Sequence, residues 1–296
     1  MSRALLPPAF EYAAPRTLPE AIELLKSRGD GAKVIAGGQS LIPLLKLRLA
    51  SPALLVDINR IAGLNYIEES GDSLRIGALA RMAEVEASSI IRKKYPIIHD
   101  ASEVIGDPLV RNLGTLGGNV SHGDPSNDMP AVMLALGAEL VAAGPGGSRT
   151  IKASEFFIDT FSVALNHDEI LTEIRVPKRS PRSGGCYLKL EQKVADFAVA
   201  GAAVQVRLGS GGDCEEAGIG LTAVGPTAIK ARRAEASIVG KDPSDRSALK
   251  ELADIAAEES DPSTDIRGTS AYKRDVVKLL VGRAFDSACE RARGDS

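Results

Sequence analysis

The chain has 296 residues, and its content of 44% hydrophobic and 25% charged residues is typical of a globular protein with apolar material for about two or three compact units. The net charge of −3 excludes a global basic field for nucleic acid or an anionic membrane, and 4% aromatic residues without tryptophan argue against a platform for stacking single-stranded bases. The three cysteines, Cys186, Cys214 and Cys289, are far apart and form no CxxC pair, so we predict no iron–sulfur cluster, structural zinc or disulfide framework in this chain.

The N-terminal segment contains a short apolar run that is interrupted by Pro7, Pro8 and Pro15, a pattern unlike that of a signal peptide. Elsewhere the sequence has no uninterrupted apolar stretch long enough to span a bilayer. The sequence therefore predicts a cytoplasmic protein without a transmembrane segment.

The first predicted unit spans residues 1–58 and alternates helices with strands. Its first helix has the spacing of a capping box at Thr17 and Glu20, and Gly29 ends it. Ser40 is predicted as the N-cap of the second helix, directly after a turn made by a pair of glycines. The elements are predicted, in chain order, as a helix over residues 17–28, a strand over 33–36, a helix over 40–49 and a strand over 54–58.

The second predicted unit spans residues 59–177 and contains the densest polar and glycine-rich stretch of the chain, at residues 105–128. An apolar helix follows that stretch, and Pro130 must lie in its first turn because the interior of a helix does not accommodate proline. The elements are predicted as a strand over 74–76, a helix over 81–94, a helix over 129–136, strands over 139–142 and 169–176, and a hairpin turn at 144–147.

Residues 177–185 are predicted to form a linker. The third unit, residues 178–296, is predicted to be a sheet with helices. A glycine-rich run at 209–213 predicts a hairpin connection. The strands are predicted over 187–193, 199–208 and 219–223, and the helices over 245–259 and 271–293. These elements together predict an α+β fold.

Several common signatures of chemistry are absent from the sequence. It contains no GxGxxG, GxxxxGK[ST], HExxH or GxSxG motif, which argues against a Rossmann dinucleotide site, a P-loop, a zinc protease and a serine hydrolase. The three histidines, His99, His122 and His167, are scattered, and we interpret each as a surface or loop residue rather than a ligand or base.

Two double-glycine segments, at 36–40 and 115–119, are the main candidates for a binding site. Glycine lets backbone N–H groups approach a ligand closely, and a helix N-terminus beside such a loop favours an anion. The two loops could therefore hold the two phosphates of one diphosphate, with side-chain hydrogen bonds from Ser40, Thr115 and Asn119. Alternatively, both segments are ordinary turns.

Two charged residues near the second segment each allow two interpretations. Asp128 begins an apolar helix, where it could accept hydrogen bonds from a ribose or simply complement the helix dipole. Arg111 could face a phosphate, although a solvated arginine is the commoner case.

Three segments, in this order and spacing, resemble the FAD-binding medium subunits of the xanthine dehydrogenase and carbon monoxide dehydrogenase family. They are VIAGGQSLIPLL at 34–45, IGDPLVRNLGTLGGNVSHGDPSNDMPAVMLAL at 105–136 and DEILTEIRVP at 168–177. The resemblance implies a two-part FAD-binding domain of the PCMH type, made of residues 1–58 and 59–177, and a C-terminal domain of sheet plus helices over residues 178–296.

The resemblance also assigns cofactor contacts to residues of this chain. Asp128 would bind the ribitol or ribose hydroxyls, Leu171 would contact the adenine or flavin ring, and Phe197 would lie over the isoalloxazine. Ile105 would touch the cofactor, and Lys189 would contact the flavin edge. The FAD diphosphate would be bound by a first set of residues, Lys33, Ile35, Ala36, Gly37, Gly38, Gln39, Ser40 and Leu41. A second set would complete the diphosphate site: Thr115, Gly117, Gly118 and Asn119.

Two positions depart from the family pattern. Leu109 stands where the family often has glutamine, which puts one side-chain contact in doubt. Gln39 stands where some carbon monoxide oxidisers carry histidine, which weakens the case for carbon monoxide as the substrate.

In function, the resemblance implies an electron relay with no catalytic residue of its own. A large partner subunit would hold molybdopterin and oxidise the substrate, and a small partner subunit would hold [2Fe–2S] clusters. FAD in this chain would take electrons from those clusters and pass them to NAD⁺, a quinone or another acceptor. The expected assembly is a dimer of heterotrimers.

The sequence leaves two alternatives open. A stand-alone FAD-dependent oxidoreductase would need its own substrate pocket and a base beside the flavin, for which the motifs offer only His122. A nucleotide-binding or scaffold module would show neither flavin nor redox activity. If the glycine segments hold FAD, valine at Gly38 or Gly117 should abolish binding and leave the fold largely intact.

Overall fold

The computed structural model describes residues 6–294, so residues 1–5 of the first predicted domain and residues 295–296 of the third lie outside the described part. Within it, the predicted α+β class is confirmed. The helices are α1 (Leu18–Arg28), α2 (Leu41–Lys46), α3 (Met82–Ala87), α4 (Ser89–Lys94), α5 (Pro96–Glu103), α6 (Pro108–Leu113), α7 (Leu116–His122), α8 (Asp128–Leu136), α9 (Ala153–Phe156), α10 (Arg232–Ile238), α11 (Arg246–Glu259) and α12 (Ser270–Arg293). The strands are β1 (Glu11–Ala13), β2 (Ala32–Ile35), β3 (Leu54–Asp57), β4 (Ile67–Ser70), β5 (Ser73–Gly77), β6 (Glu139–Gly144), β7 (Gly147–Lys152), β8 (Phe157–Asp159), β9 (Ser162–Val163), β10 (Ile170–Pro177), β11 (Ser183–Glu191), β12 (Ala198–Leu208), β13 (Cys214–Thr222) and β14 (Ile229–Lys230).

The first sheet is parallel, with strand order β1-β3-β2, and α1 packs against it. The capping box predicted at the start of α1 is present: the Glu20 N–H donates to Thr17 Oγ1 at 3.4 Å, and the Thr17 N–H donates to the Glu20 carboxylate at 3.3 Å. The second helix, α2, is shorter than predicted and ends at Lys46, and the hydroxyl of Ser40 makes no capping bond to it.

The second sheet is antiparallel, with strand order β4-β5-β10-β6-β7, and the predicted hairpin turn joins β6 to β7. Strand β10 has a register shift between Leu171 and Glu173, opposite β6. The single helix predicted over 81–94 is wrong, because the chain breaks at Ser88 into α3 and α4. The Ser88 side chain accepts from the Ile91 N–H, so it begins a new helix instead of continuing the old one.

The third sheet is antiparallel, with strand order β11-β12-β13-β14, and its two faces are covered by different helices. Along β11, Tyr187 packs with the core of the second sheet, whereas Cys186 and Leu188 pack with α11 and α12. Helix α8 lies so close to β13 that a Cβ on Gly220 would come within 2.0 Å of the Ala131 carbonyl oxygen.

The linker between the second and third units is shorter than the predicted 177–185, because β10 extends to Pro177 and β11 already begins at Ser183.

Among residues 6–294, no helix combines the length and the apolar content that crossing a membrane requires.

Candidate functional site

A cleft of about 970 Å³ runs between the first sheet, the second sheet and the connection from β11 to β12. Its volume is near the upper end of the range of about 300–1,000 Å³ for small-molecule sites. Its walls come from segments that are far apart in sequence, so only the folded chain assembles them. The predicted contacts that line it are Lys33, Ile35, Ala36, Gly37, Gly38, Gln39, Ser40, Leu41, Ile105, Thr115, Gly117, Gly118, Asn119, Asp128, Leu171 and Phe197.

The first glycine segment presents unbonded backbone donors in this wall. Within residues 6–294, the backbone N–H groups of residues 37–41 donate no hydrogen bond to the protein. The carbonyl oxygens beside them are occupied: Ala36 accepts from Asn59 Nδ2 at 2.8 Å, and Gly37 accepts from Gln39 Nε2 at 3.0 Å. Because the backbone N–H groups are free and the neighbouring carbonyl oxygens are already hydrogen-bonded, this segment suits an anionic ligand.

The two glycines of this segment serve different needs. Gly38 has φ +72°, a left-handed conformation that side chains with a Cβ rarely adopt. A Cβ on Gly37 would lie 2.3 Å from the Leu113 carbonyl oxygen, so Gly37 is needed for close contact with the end of α6. The Arg81 guanidinium donates to that same carbonyl oxygen, which ties the end of α6 to the start of α3.

The second glycine segment differs from the prediction of a loop, because residues 116–122 form helix α7 and Thr115 caps it. A Cβ on Gly117 would lie 2.6 Å from the backbone oxygen of Ala78, so this glycine allows the helix to pack on the second sheet. The N–H groups of the first turn are bonded within the protein: Leu116 to Ala80 O at 2.9 Å, Gly117 to Ala78 O at 2.9 Å and Gly118 to Thr115 Oγ1 at 3.0 Å.

The first turn of α7 therefore has no free backbone N–H groups at residues 116–118 to offer a phosphate. What this segment contributes to the cleft is its side chains. The Asn119 Oδ1 atom is buried and makes no hydrogen bond within residues 6–294, which leaves it available to a hydroxyl or amino donor.

Asp128 is the buried carboxylate of the cleft. It is the first residue of α8, where a carboxylate complements the helix dipole, and it also lines the cleft, where it can accept hydrogen bonds from a ligand. Its Oδ1 accepts from the Tyr187 hydroxyl at 2.5 Å and lies 3.5 Å from Lys189 Nζ. Burial raises the pKa of Asp128 to about 6, although Lys189 and the Tyr187 hydroxyl act to lower it.

Lys189 does not line the cleft. Its side chain is buried, and Nζ donates to Val104 O at 2.6 Å and to Asp196 O at 3.2 Å. Whatever effect it has on a ligand in the cleft must pass through Asp128 or the backbone of the 196 region. Phe197, in contrast, lines the cleft and is 51% exposed, with the Arg267 guanidinium 5.8 Å from its ring centre.

Two interpretations of single residues were wrong. His122 is not a surface or loop residue: it ends α7 and lines the cleft, with its ring centre 5.1 Å from that of Phe161, and burial lowers the pKa of its imidazole. Arg111 is neither solvated nor in the cleft wall. Its Nε donates to Glu86 at 2.7 Å and its side chain is 13% exposed, so it holds α6 against α3.

Tyr187 is the important site residue that the sequence reasoning missed. It lies in the third unit, 59 positions from the Asp128 carboxylate that it binds. The pattern of β11 predicts a strand and does not indicate which residue of the second unit faces it. Among the described residues, no group of three or more His, Cys, Asp or Glu side chains could hold a metal ion.

Comparison with known proteins gives a consistent match over the chain. Residues 8–179 match the family described as the FAD binding domain in molybdopterin dehydrogenase, and residues 185–288 match the CO dehydrogenase flavoprotein C-terminal domain. The carbon monoxide dehydrogenase medium chain of Hydrogenophaga pseudoflava is 40% identical, covering 97% of this chain and 99% of its own length. The glyceraldehyde dehydrogenase medium chain of Sulfolobus acidocaldarius is 37% identical, covering 95% and 99%.

A solved structure agrees with these matches. It is that of the carbon monoxide dehydrogenase from Hydrogenophaga pseudoflava that lacks the Mo-pyranopterin moiety of the molybdenum cofactor. One of its chains superposes with a TM-score of 0.94 at 42% sequence identity, covering 97% of this chain and 99% of that one.

Proposed function

Because this chain belongs to the FAD-binding medium subunits of the carbon monoxide dehydrogenase and xanthine dehydrogenase family, we propose that it binds FAD in the cleft and relays electrons within a molybdenum hydroxylase complex. The family and the FAD-binding domain predicted from three sequence motifs are confirmed. The division of the chain at residues 58 and 177, the individual cofactor contacts and the cytoplasmic location stay predictions.

The observation that carries the proposal is the run of unbonded backbone N–H groups at residues 37–41. A diphosphate is the anionic part of FAD, and backbone donors of this kind suit it. The Ser40 hydroxyl makes no capping bond and is free to add another donor. The diphosphate is therefore assigned to the first segment, with Thr115 and Asn119 contributing side chains and Gly117 and Gly118 shaping the wall.

The remaining contacts divide by polarity. Asp128 has one oxygen bonded to Tyr187, while its Oδ2 has no hydrogen-bond partner within residues 6–294, so Oδ2 can accept from the ribityl hydroxyls. Ile105 and Leu171 are buried apolar residues in the wall that suit the rings, and Phe197 is assigned to the isoalloxazine. Lys189 acts by holding Asp128 and the 196 region in place.

Bound FAD supplies the redox chemistry, since it can exchange electrons singly and store two. The protein contributes binding, orientation and electrostatics. We propose that electrons arrive from [2Fe–2S] clusters of a small partner subunit and leave for an external acceptor. A large molybdopterin-binding partner would oxidise the substrate, and the complex would be a dimer of heterotrimers. The small subunit is assigned to the surface near residues 35–41 and Phe197.

The binding proposal predicts tight, noncovalent FAD. Acid precipitation of the yellow protein should leave the flavin in the supernatant, where chromatography identifies it as FAD and not FMN. The reason is that the run of donors at residues 37–41 suits the diphosphate of FAD, whereas FMN has a single phosphate and no adenosine. A chain that stays colourless after reconstitution with FAD would contradict the proposal.

A further inference from the structure

Tyr187 and Lys189 project from the same face of β11, because residues two apart in a strand point to the same side. Both meet Asp128 at the start of α8, with the Tyr187 hydroxyl 2.5 Å and Lys189 Nζ 3.5 Å from the same oxygen, Oδ1. The C-terminal sheet thus provides two donors to a carboxylate that belongs to the cleft.

The fold makes room for the Tyr187 hydroxyl in particular. A Cβ on Gly201, in the neighbouring strand β12, would lie 2.6 Å from that oxygen atom. Tyr187 itself is 3% exposed and does not line the cleft, so it acts on a ligand only through Asp128.

We infer that Tyr187 is a positioning residue for the cofactor: by binding Asp128 Oδ1 it orients the carboxylate and leaves Oδ2 as the acceptor for the FAD polyol. The inference rests on the proposed FAD site. It assigns to the C-terminal sheet an influence on FAD affinity that is exerted through Asp128, although Tyr187 itself does not line the cleft.

The chemistry of the carboxylate explains why one hydroxyl matters. The groups that face Asp128 are Tyr187, Lys189 and Glu191, and Lys189 Nζ lies 3.3 Å from the Glu191 carboxylate, which shares its charge. Burial raises the pKa of Asp128 to about 6. A hydrogen bond donated to the ionised carboxylate lowers its pKa. Removing the Tyr187 hydroxyl should therefore raise the pKa of Asp128 further, closer to neutral pH.

The affinity for FAD should follow this ionisation. If the ionised carboxylate accepts from the polyol, affinity is full above the pKa of Asp128 and falls as the pH drops through it. In Tyr187→Phe the pKa is higher, so the fall begins at a higher pH. The full chain, stripped of flavin and titrated with FAD from pH 5.5 to 8.5 while flavin fluorescence is followed, measures this directly.

At neutral pH we expect Tyr187→Phe to bind FAD about tenfold more weakly, because a protonated Asp128 would lose its charge-assisted hydrogen bond from the polyol, and one such bond accounts for about that factor. The midpoint of its pH profile should move to higher pH. Tyr95→Phe is the matched control, because Tyr95 is also 3% exposed, yet its hydroxyl has no hydrogen-bond partner among the described residues and does not line the cleft. It should retain the wild-type affinity and midpoint.

Gly201→Ala gives a second route, since its methyl group would push the Tyr187 hydroxyl away from Asp128 and should move the midpoint in the same direction. An unchanged midpoint in both Tyr187→Phe and Gly201→Ala, with wild-type chain binding FAD normally, would overturn the inference and leave the proposed function intact. A wild-type chain that binds no FAD at all would overturn both.

Discussion

Replacing Gly38 by valine is expected to leave the purified chain without flavin while the fold persists. Gly38 has φ +72°, which a β-branched residue adopts only under strain, so the loop should change its backbone conformation. The added Cβ would also lie 2.7 Å from Ile42 Cδ1, but that side chain is 38% exposed and can move aside. The effect thus falls on the N–H groups at residues 37–41.

The affinity of this variant for FAD should fall by about 100-fold or more, because the loss of two hydrogen bonds to a charged group, at about 1.5 kcal/mol each, accounts for that factor. Titration of the flavin-free chain measures it. Gly63→Val is the matched control, since Gly63 has φ +80° and nothing within 4 Å of a Cβ. It should show a similar loss of thermal stability and keep its flavin. Full flavin occupancy in Gly38→Val would show that the segment at residues 36–40 is an ordinary turn that does not bind the cofactor.

Replacing Gly117 by valine is expected to damage the fold itself, which departs from the sequence-based expectation that this substitution spares it. A Cβ there would lie 2.6 Å from both the Cβ and the carbonyl oxygen of Ala78, and neither can move without shifting the second sheet. Overpacking of this kind typically costs about 1–3 kcal/mol in the free energy of unfolding, and the upper end is expected here because the neighbour is backbone. Chemical denaturation followed by circular dichroism should show this decrease, with flavin loss as a consequence.

Gly146→Val provides the comparison for Gly117→Val, because Gly146 lies in the turn between β6 and β7 and has nothing within 4 Å of a Cβ. Its stability should stay close to that of the wild type. If Gly117→Val proved as stable as Gly146→Val, the close packing of α7 on Ala78 would not be a requirement of the fold.

The sequence predicts best the features that depend on neighbours along the chain. The capping box of Thr17 and Glu20 and the hairpin turn between β6 and β7 are local, and both were predicted correctly. The break at Ser88 is also local, but a serine inside an apolar pattern can either continue a helix or cap the next one, and the pattern does not distinguish these.

The features that sequence could not provide depend on contacts between distant segments. The Gly-Gly pair at 117–118 looks like the pair at 37–38, yet one lies in a helix packed on Ala78 and the other in a loop with free N–H groups. For Arg111 the sequence allows a phosphate contact or, more commonly, exposure to solvent, and only the fold reveals its partner Glu86. For the same reason the bond from Tyr187 to Asp128, between different units, has no signature in either local pattern.

We propose that this chain relays electrons and that the chemistry on the substrate takes place in a partner. The most direct test is anaerobic reduction of the flavin by carbon monoxide, aldehydes, purines or N-heterocycles, measured on the isolated chain and on the complex co-purified from its co-expressed partners. We predict that none of these substrates reduces the flavin of the isolated chain, and that one of them reduces it in the complex, whose molybdenum and iron content is measured in parallel. Reduction of the isolated, molybdenum-free chain by an organic substrate at enzymatic rates would contradict the relay and establish a stand-alone flavoenzyme instead.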